Sequence, residues 1–101
     1  MKILEDTYNE LAIEDCYLTE RKFSREYLGR CETYYAYLKC AGKQASAGAL
    51  INLWRRLASD KAVCEMRLGK RDSEYTENML TDWLGLYDRL ERKVRAVILK
   101  I

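Results

Sequence analysis

The chain has 101 residues, 34% of them charged and 49% apolar, with a formal net charge of +2. That is one globular domain at most with an appended element, and the apolar content excludes a disordered chain. With no proline, no histidine and only five glycines, little interrupts a helix, and the commonest general base and half of the usual mixed zinc ligands are missing.

The first helix is predicted over residues 2–14, where Ile3, Leu4, Tyr8 and Leu11 share one face and Glu5, Asp6, Glu10 and Glu14 form a solvated face. The opening Met-Lys-Ile-Leu-Glu-Asp is too short and too acidic for a signal peptide. No apolar run approaches the roughly 20 residues needed to cross a bilayer. A cytoplasmic chain is therefore expected. The four cysteines, Cys16, Cys31, Cys40 and Cys64, contain no C-x-x-C pair and are expected reduced and partly buried.

After a connection over 15–20, Thr19 is placed to cap a second helix over 20–28, with Phe23, Tyr27 and Leu28 inward and Gly29 at its end. A third helix is expected over about 32–40, with Cys31, Tyr35 and Leu38 on one face and Gly42 closing it. Ser46 caps a fourth helix with Leu50, Leu53, Trp54 and Leu57 as core residues. No glycine or proline lies between Ala49 and Leu68, so this helix is read as continuous to about 69, with Ser59-Asp60 as the alternative break. Arg55 and Arg56 are read as solvated or paired with acids of the first helix. Ser73 is placed to cap a final helix carrying Leu80, Trp83, Tyr87, Leu90, Val94, Val97 and Ile101 at alternating steps of three and four. This heptad seam can fold across the core or pair with the same helix of a second chain. Its length of roughly 40 Å exceeds what short helices would cover, which favours dimerisation through Leu80, Trp83, Tyr87, Leu90, Val94 and Val97.

The charge is segregated. Residues 1–20 carry a net −5, residues 21–71 a net +8 and residues 72–101 a net −1. A nearly neutral chain thus contains a basic middle suited to a polyanion.

The stretch from about 20 to 57 resembles the Cro and phage-repressor, or XRE-like, helix-turn-helix proteins. Leu28-Gly29 matches the aliphatic-glycine pair that ends the first helix of that motif, and Tyr35 and Leu38 match the apolar anchors of its recognition helix. Gly42-Lys43-Gln44-Ala45-Ser46 resembles the following turn, and Ala49, Leu50, Leu53 and Leu57 match the next helix. Arg25 and Arg30 depart from the pattern, the first where a small residue is usual and the second where an apolar one is. Phe23 and Ser24 would supply the apolar-small pair only if the second helix held one extra residue.

The resemblance implies an all-α, λ-repressor-like core of four to five helices over 1–71, followed by a long helix over 72–101. It implies a dimeric DNA-binding regulator whose third helix enters the major groove. Arg30, Glu32, Thr33, Ala36 and Tyr37 would then read bases, and Lys22, Arg25, Lys39, Lys43 and Gln44 would hold phosphates, aided by the N-terminus of the second helix. No cofactor, metal, small-molecule ligand, membrane contact or enzymatic activity is expected. The alternative is a protein-interaction adaptor that keeps this scaffold and acts through its last helix.

Overall fold

A computed structural model describes residues 2–68 and 74–100. The chain is all-α, with no strand among the described residues. Its elements are α1 (Lys2–Glu14), α2 (Glu20–Lys22, running on as a π-helical turn over Phe23–Tyr27), α3 (Tyr34–Ala41), α4 (Ala47–Leu68) and α5 (Glu74–Leu99).

In α1 the buried stripe is Leu4, Thr7 and Leu11, one turn apart. Thr7 is admitted to the core because its hydroxyl donates to the Ile3 carbonyl at 2.7 Å. Thr19 caps α2 as predicted, its hydroxyl accepting from the Lys22 amide at 3.2 Å. Phe23 is fully buried and lies against the rings of Tyr8, Tyr27 and Tyr35 at centroid separations of 5.3–5.6 Å. The Tyr8 and Tyr35 contacts are edge-to-face and the Tyr27 contact is stacked, both favourable geometries that add to apolar burial.

α4 is continuous over 22 residues, with no break at Ser59-Asp60. Its Ser46 cap is present, the hydroxyl accepting from the Ala49 amide at 3.2 Å. α5 lies antiparallel to it. Trp54 Nε1 donates to Glu91 at 2.8 Å and Lys61 reaches Asp88 at 2.7 Å, so the partner number rises in α5 as it falls in α4.

The heptad seam faces inward. Leu90 and Val94 are wholly buried, Leu86 nearly so, and Trp83, Tyr87 and Val97 pack half-buried against the same core. The assignment of Leu90 and Val94 to a dimer contact is corrected accordingly, because their own chain covers them, while Trp83, Tyr87 and Val97 are half-covered by the same core. The side chain of Leu80, and Ser73 with the rest of 69–73, lie outside the described residues. By the rise of their residues α4 offers α5 a groove of roughly 33 Å, most of the roughly 39 Å that α5 spans, and α1 packs against α5 as well. The acids of α1 also behave differently from a uniformly solvated face. Glu10 accepts from Arg89 of α5 at 3.3 Å and stands 4.0 Å from Lys93.

Of the cysteines, Cys16, Cys31 and Cys40 are exposed and only Cys64 is buried. All four are free thiols, and the expected partial burial holds for Cys64 alone, because the other three sit outside helical core positions.

If α5 completes one shared core, Leu90→Ala should lower the unfolding free energy by about 2–5 kcal/mol. Chemical denaturation measures this, and a loss below about 1 kcal/mol would mean that α5 is a detachable appendage.

Candidate nucleic-acid interface

The placement of α3 begins at Ser24, which is fully buried. Its hydroxyl donates to the Glu20 carbonyl at 3.0 Å and accepts from the Tyr35 amide at 3.0 Å. One small side chain therefore ties the start of α3 to α2. The geometry depends on the π turn, in which the Leu28 amide reaches back five residues to Phe23 at 3.1 Å. A π turn holds one residue more than an α turn over the same length. It brings Ser24 against α3 and leaves Arg25 exposed.

Gly29 then takes φ 64°, and a Cβ there would stand 2.6 Å from Asn52 Nδ2. Asn52 in turn donates to the Leu28 carbonyl at 3.0 Å, closing the end of α2 against α4. Gly42, at φ 63°, ends α3. The Tyr34 hydroxyl accepts from the Ser46 amide at 3.1 Å, which binds the start of α3 to the start of α4.

Tyr35 and Leu38 are the buried anchors of α3. Opposite them, Ala36, Tyr37 and Cys40 are exposed, and helical spacing continues that face back to exposed Thr33. α3 starts at Tyr34 rather than 32, because the Tyr34 amide closes a turn onto the Cys31 carbonyl at 3.0 Å. Glu32 and Thr33 thus sit on the turn before the helix, and Cys31 is exposed rather than on the inward face. The Thr33 hydroxyl lies 3.5 Å from Cys31 Sγ, and this contact holds the Cys31 thiol below its ordinary pKa.

The basic residues divide into two groups. Lys39 is turned away from the outward face. It pairs with Glu20 and lies over the Tyr35 ring at 5.0 Å, and its ammonium pKa is raised by Glu20 with a smaller contribution from Glu5 of α1. A phosphate contact from Lys39, as expected from the sequence, would compete with its pairing to Glu20. The start of α2, expected to favour an anion, already carries two internal acceptors. The Lys22 amide is taken by Thr19, and Glu20 stands in the first turn. Arg30 folds back onto the start of α4, donating to Ser46 Oγ at 3.2 Å, with its guanidinium 2.9 Å from where a Cβ on Gly48 would be.

Lys22, Arg25, Lys43 and Gln44 are exposed. Lys22 and Arg25 make no ion pair among the described residues, and the Lys43 ammonium lies 5.6 Å from the centre of the Tyr37 ring. Arg56, read as solvated or paired with α1, instead meets Asp60 one turn along α4 at 3.1 Å. It also donates to the Glu26 carbonyl and covers the Tyr27 ring at 4.6 Å. Arg55 is exposed.

Three contributors are hard to see in the chain alone. Cys40 on the outward face, Asn52 behind Gly29 and Glu20 against Lys39 depend on how helices cross. Only the polar Asn52 beside the apolar Leu50 and Leu53 hints at such a role.

Residues 4–100 match the pattern of one protein family. The chain belongs to DUF6626, a family of unknown function. The DUF6626 match runs from α1 through α5, so the C-terminal helix is part of the family unit. No curated protein and no solved structure matches. Among the described residues of this DUF6626 chain, no group of His, Cys, Asp or Glu is arranged to hold a metal, and no helix is long and apolar enough to cross a membrane.

Burial, reinforced by Glu5 and Glu20, pushes the Tyr35 phenol up to about 12 from 10.0, and burial does the same at Tyr27. The folded chain holds these protons more tightly than the unfolded one. Their contribution to stability is complete below pH 10 and is lost as pH rises through about 12. Thermal melts between pH 9 and 12 should show the midpoint falling over the upper part of that range. A midpoint flat throughout would contradict the burial of both phenols.

Proposed function

We propose that this chain binds double-stranded DNA by inserting α3 into the major groove, as a small cytoplasmic regulator. The observation that carries the reading is the outward face of α3. Thr33, Ala36 and Tyr37 are exposed together while Tyr35 and Leu38 are buried, and the helix is fixed at both ends by Ser24 and Gly42. A groove-reading helix needs this combination of a rigid seat and an unencumbered face.

On this reading Thr33 and Tyr37 contact base edges or thymine methyls, and Ala36 allows close approach. Lys22, Arg25 and Lys43 hold phosphates on either side, with Gln44 as a neutral contact. Arg30 and Glu32 take a smaller part. Arg30 must first leave Ser46, and Glu32 is tolerated only where it accepts from a cytosine amine. The adaptor alternative would have to use the outer side of α5, because Leu90 and Val94 are buried within the chain.

Mobility-shift titrations against mixed duplex fragments at several salt concentrations test the proposal. Binding should weaken with salt, and Lys43→Glu should reduce affinity about tenfold or more and lower the salt slope by about 1 or 2. Lys39→Glu should have the smaller effect on binding, since Glu20 already offsets its charge. Thr33→Val should shift sequence preference more than overall affinity. Absence of binding at low salt, or equal losses from Lys39 and Lys43, would defeat this placement of the groove face.

A further inference from the structure

Among the described residues, the contacts of α4 with the other helices lie on its inner side and flanks. Ala49, Leu50, Leu53 and Leu57 are wholly buried in the core, and Trp54 and Lys61 reach α5. The opposite side carries Ile51, Arg55, Ala58, Ala62, Glu65 and Met66 on successive turns. Arg55, Ala62, Glu65 and Met66 are exposed, and Met66 shows 66% of its surface. An ordinary solvated face of this length is dominated by charged and polar residues. Here the two charges are of opposite sign, on either side of the alanine pair, and neither forms an ion pair among the described residues.

We propose that this face pairs two copies of the chain, α4 antiparallel to α4, about a two-fold axis between Ala58 and Ala62. An isologous contact requires a self-complementary surface. With the axis there, Arg55 lies five residues to one side and Glu65 five to the other, so each Arg55 meets the partner's Glu65. Ala58 then meets the partner's Ala62, and small side chains allow the helices to approach closely. Ile51 and the partner's Met66 cover the ends of the seam within one turn of each other. An unrelated partner has no need of this internal symmetry of charge, and a polyanion would be repelled by Glu65.

The same pairing positions α3. Each α3 is tied to the start of α4 through Tyr34 and Ser46. The start of α4 is 13 residues from the axis position, so two such starts lie roughly 40 Å apart along the helix pair. That is close to the roughly 34–36 Å between successive major-groove faces on one side of a duplex. The spacing matters only under the DNA reading above, whereas the pairing itself does not depend on it.

Sedimentation of the full chain without DNA tests the pairing. The native chain should show a concentration-dependent dimer, weak because one helix pair buries less than a standard interface. Arg55→Glu alone and Glu65→Arg alone should each weaken self-association about tenfold or more, by placing like charges opposite one another. Mixing these two variants should restore dimers, because each chain then offers the other a matched pair at both positions. Circular dichroism of each variant should match the native chain, since both positions are exposed. A native chain that is monomeric up to about 1 mM overturns the proposal, as does a mixture of variants that stays monomeric, or single variants that dimerise as well as the native chain. None of these outcomes bears on whether a single chain binds DNA, which the mobility shifts measure separately.

Discussion

The seat of α3 depends on one buried hydroxyl. Ser24 bonds both the Glu20 carbonyl and the Tyr35 amide, and its position against α3 comes from the π turn that follows Lys22. A buried Tyr35 amide without this acceptor would be an orphan donor, at a cost of about 1–3 kcal/mol. A regular α turn would rotate the side chains after Phe23 by one position. The long, charged Arg25 would move towards a contact that admits only a small side chain. The aromatic group of Tyr8, Phe23, Tyr27 and Tyr35 packs around this joint. The angle between α2 and α3 is therefore set by packing and hydrogen bonding together.

Electrostatics then distributes the charge unevenly around that seat. The acids of the N-terminal segment do not simply point away from the basic middle. Glu20 takes Lys39, and Glu10 of α1 takes Arg89 and Lys93 of α5. Asp60 takes Arg56 within α4, although burial raises the Asp60 carboxyl pKa against that pairing. The cations left to face solvent near α3 are fewer than the net charge of the segment suggests, chiefly Lys22, Arg25 and Lys43. An exposed pair such as Lys39 with Glu20 contributes little to stability. The larger effect of these pairs is to decide which surface remains positive.

Much of this was legible in the chain. The bounds of α1, the Thr19 and Ser46 caps, the unbroken α4 and the closing glycines Gly29 and Gly42 follow from periodicity and backbone chemistry, which are local. The apolar-small pair Phe23-Ser24 was readable as a conditional, requiring an extra residue in the second helix, and the π turn is where that residue resides. What failed was non-local. Heptad spacing on α5 states that a face is apolar and does not say which surface covers it, and here α4 and α1 do so within the chain. Likewise, Lys39 was grouped with Lys43 by proximity in sequence, yet the two diverge because helical rotation carries Lys39 towards Glu20. Cys31 was placed by a seven-residue periodicity that ends once the helix begins at Tyr34.

The central claim is that the outward face of α3 is the surface that meets DNA. Amide chemical-shift mapping of the full chain, titrated at low salt with a mixed-sequence duplex, tests it most directly. The largest changes are predicted at Thr33, Ala36, Tyr37 and Lys43, with smaller ones at Lys22 and Arg25 and none at the buried Leu90 and Val94. Changes confined to α4 and α5, or a spectrum unaltered by excess duplex, would contradict it.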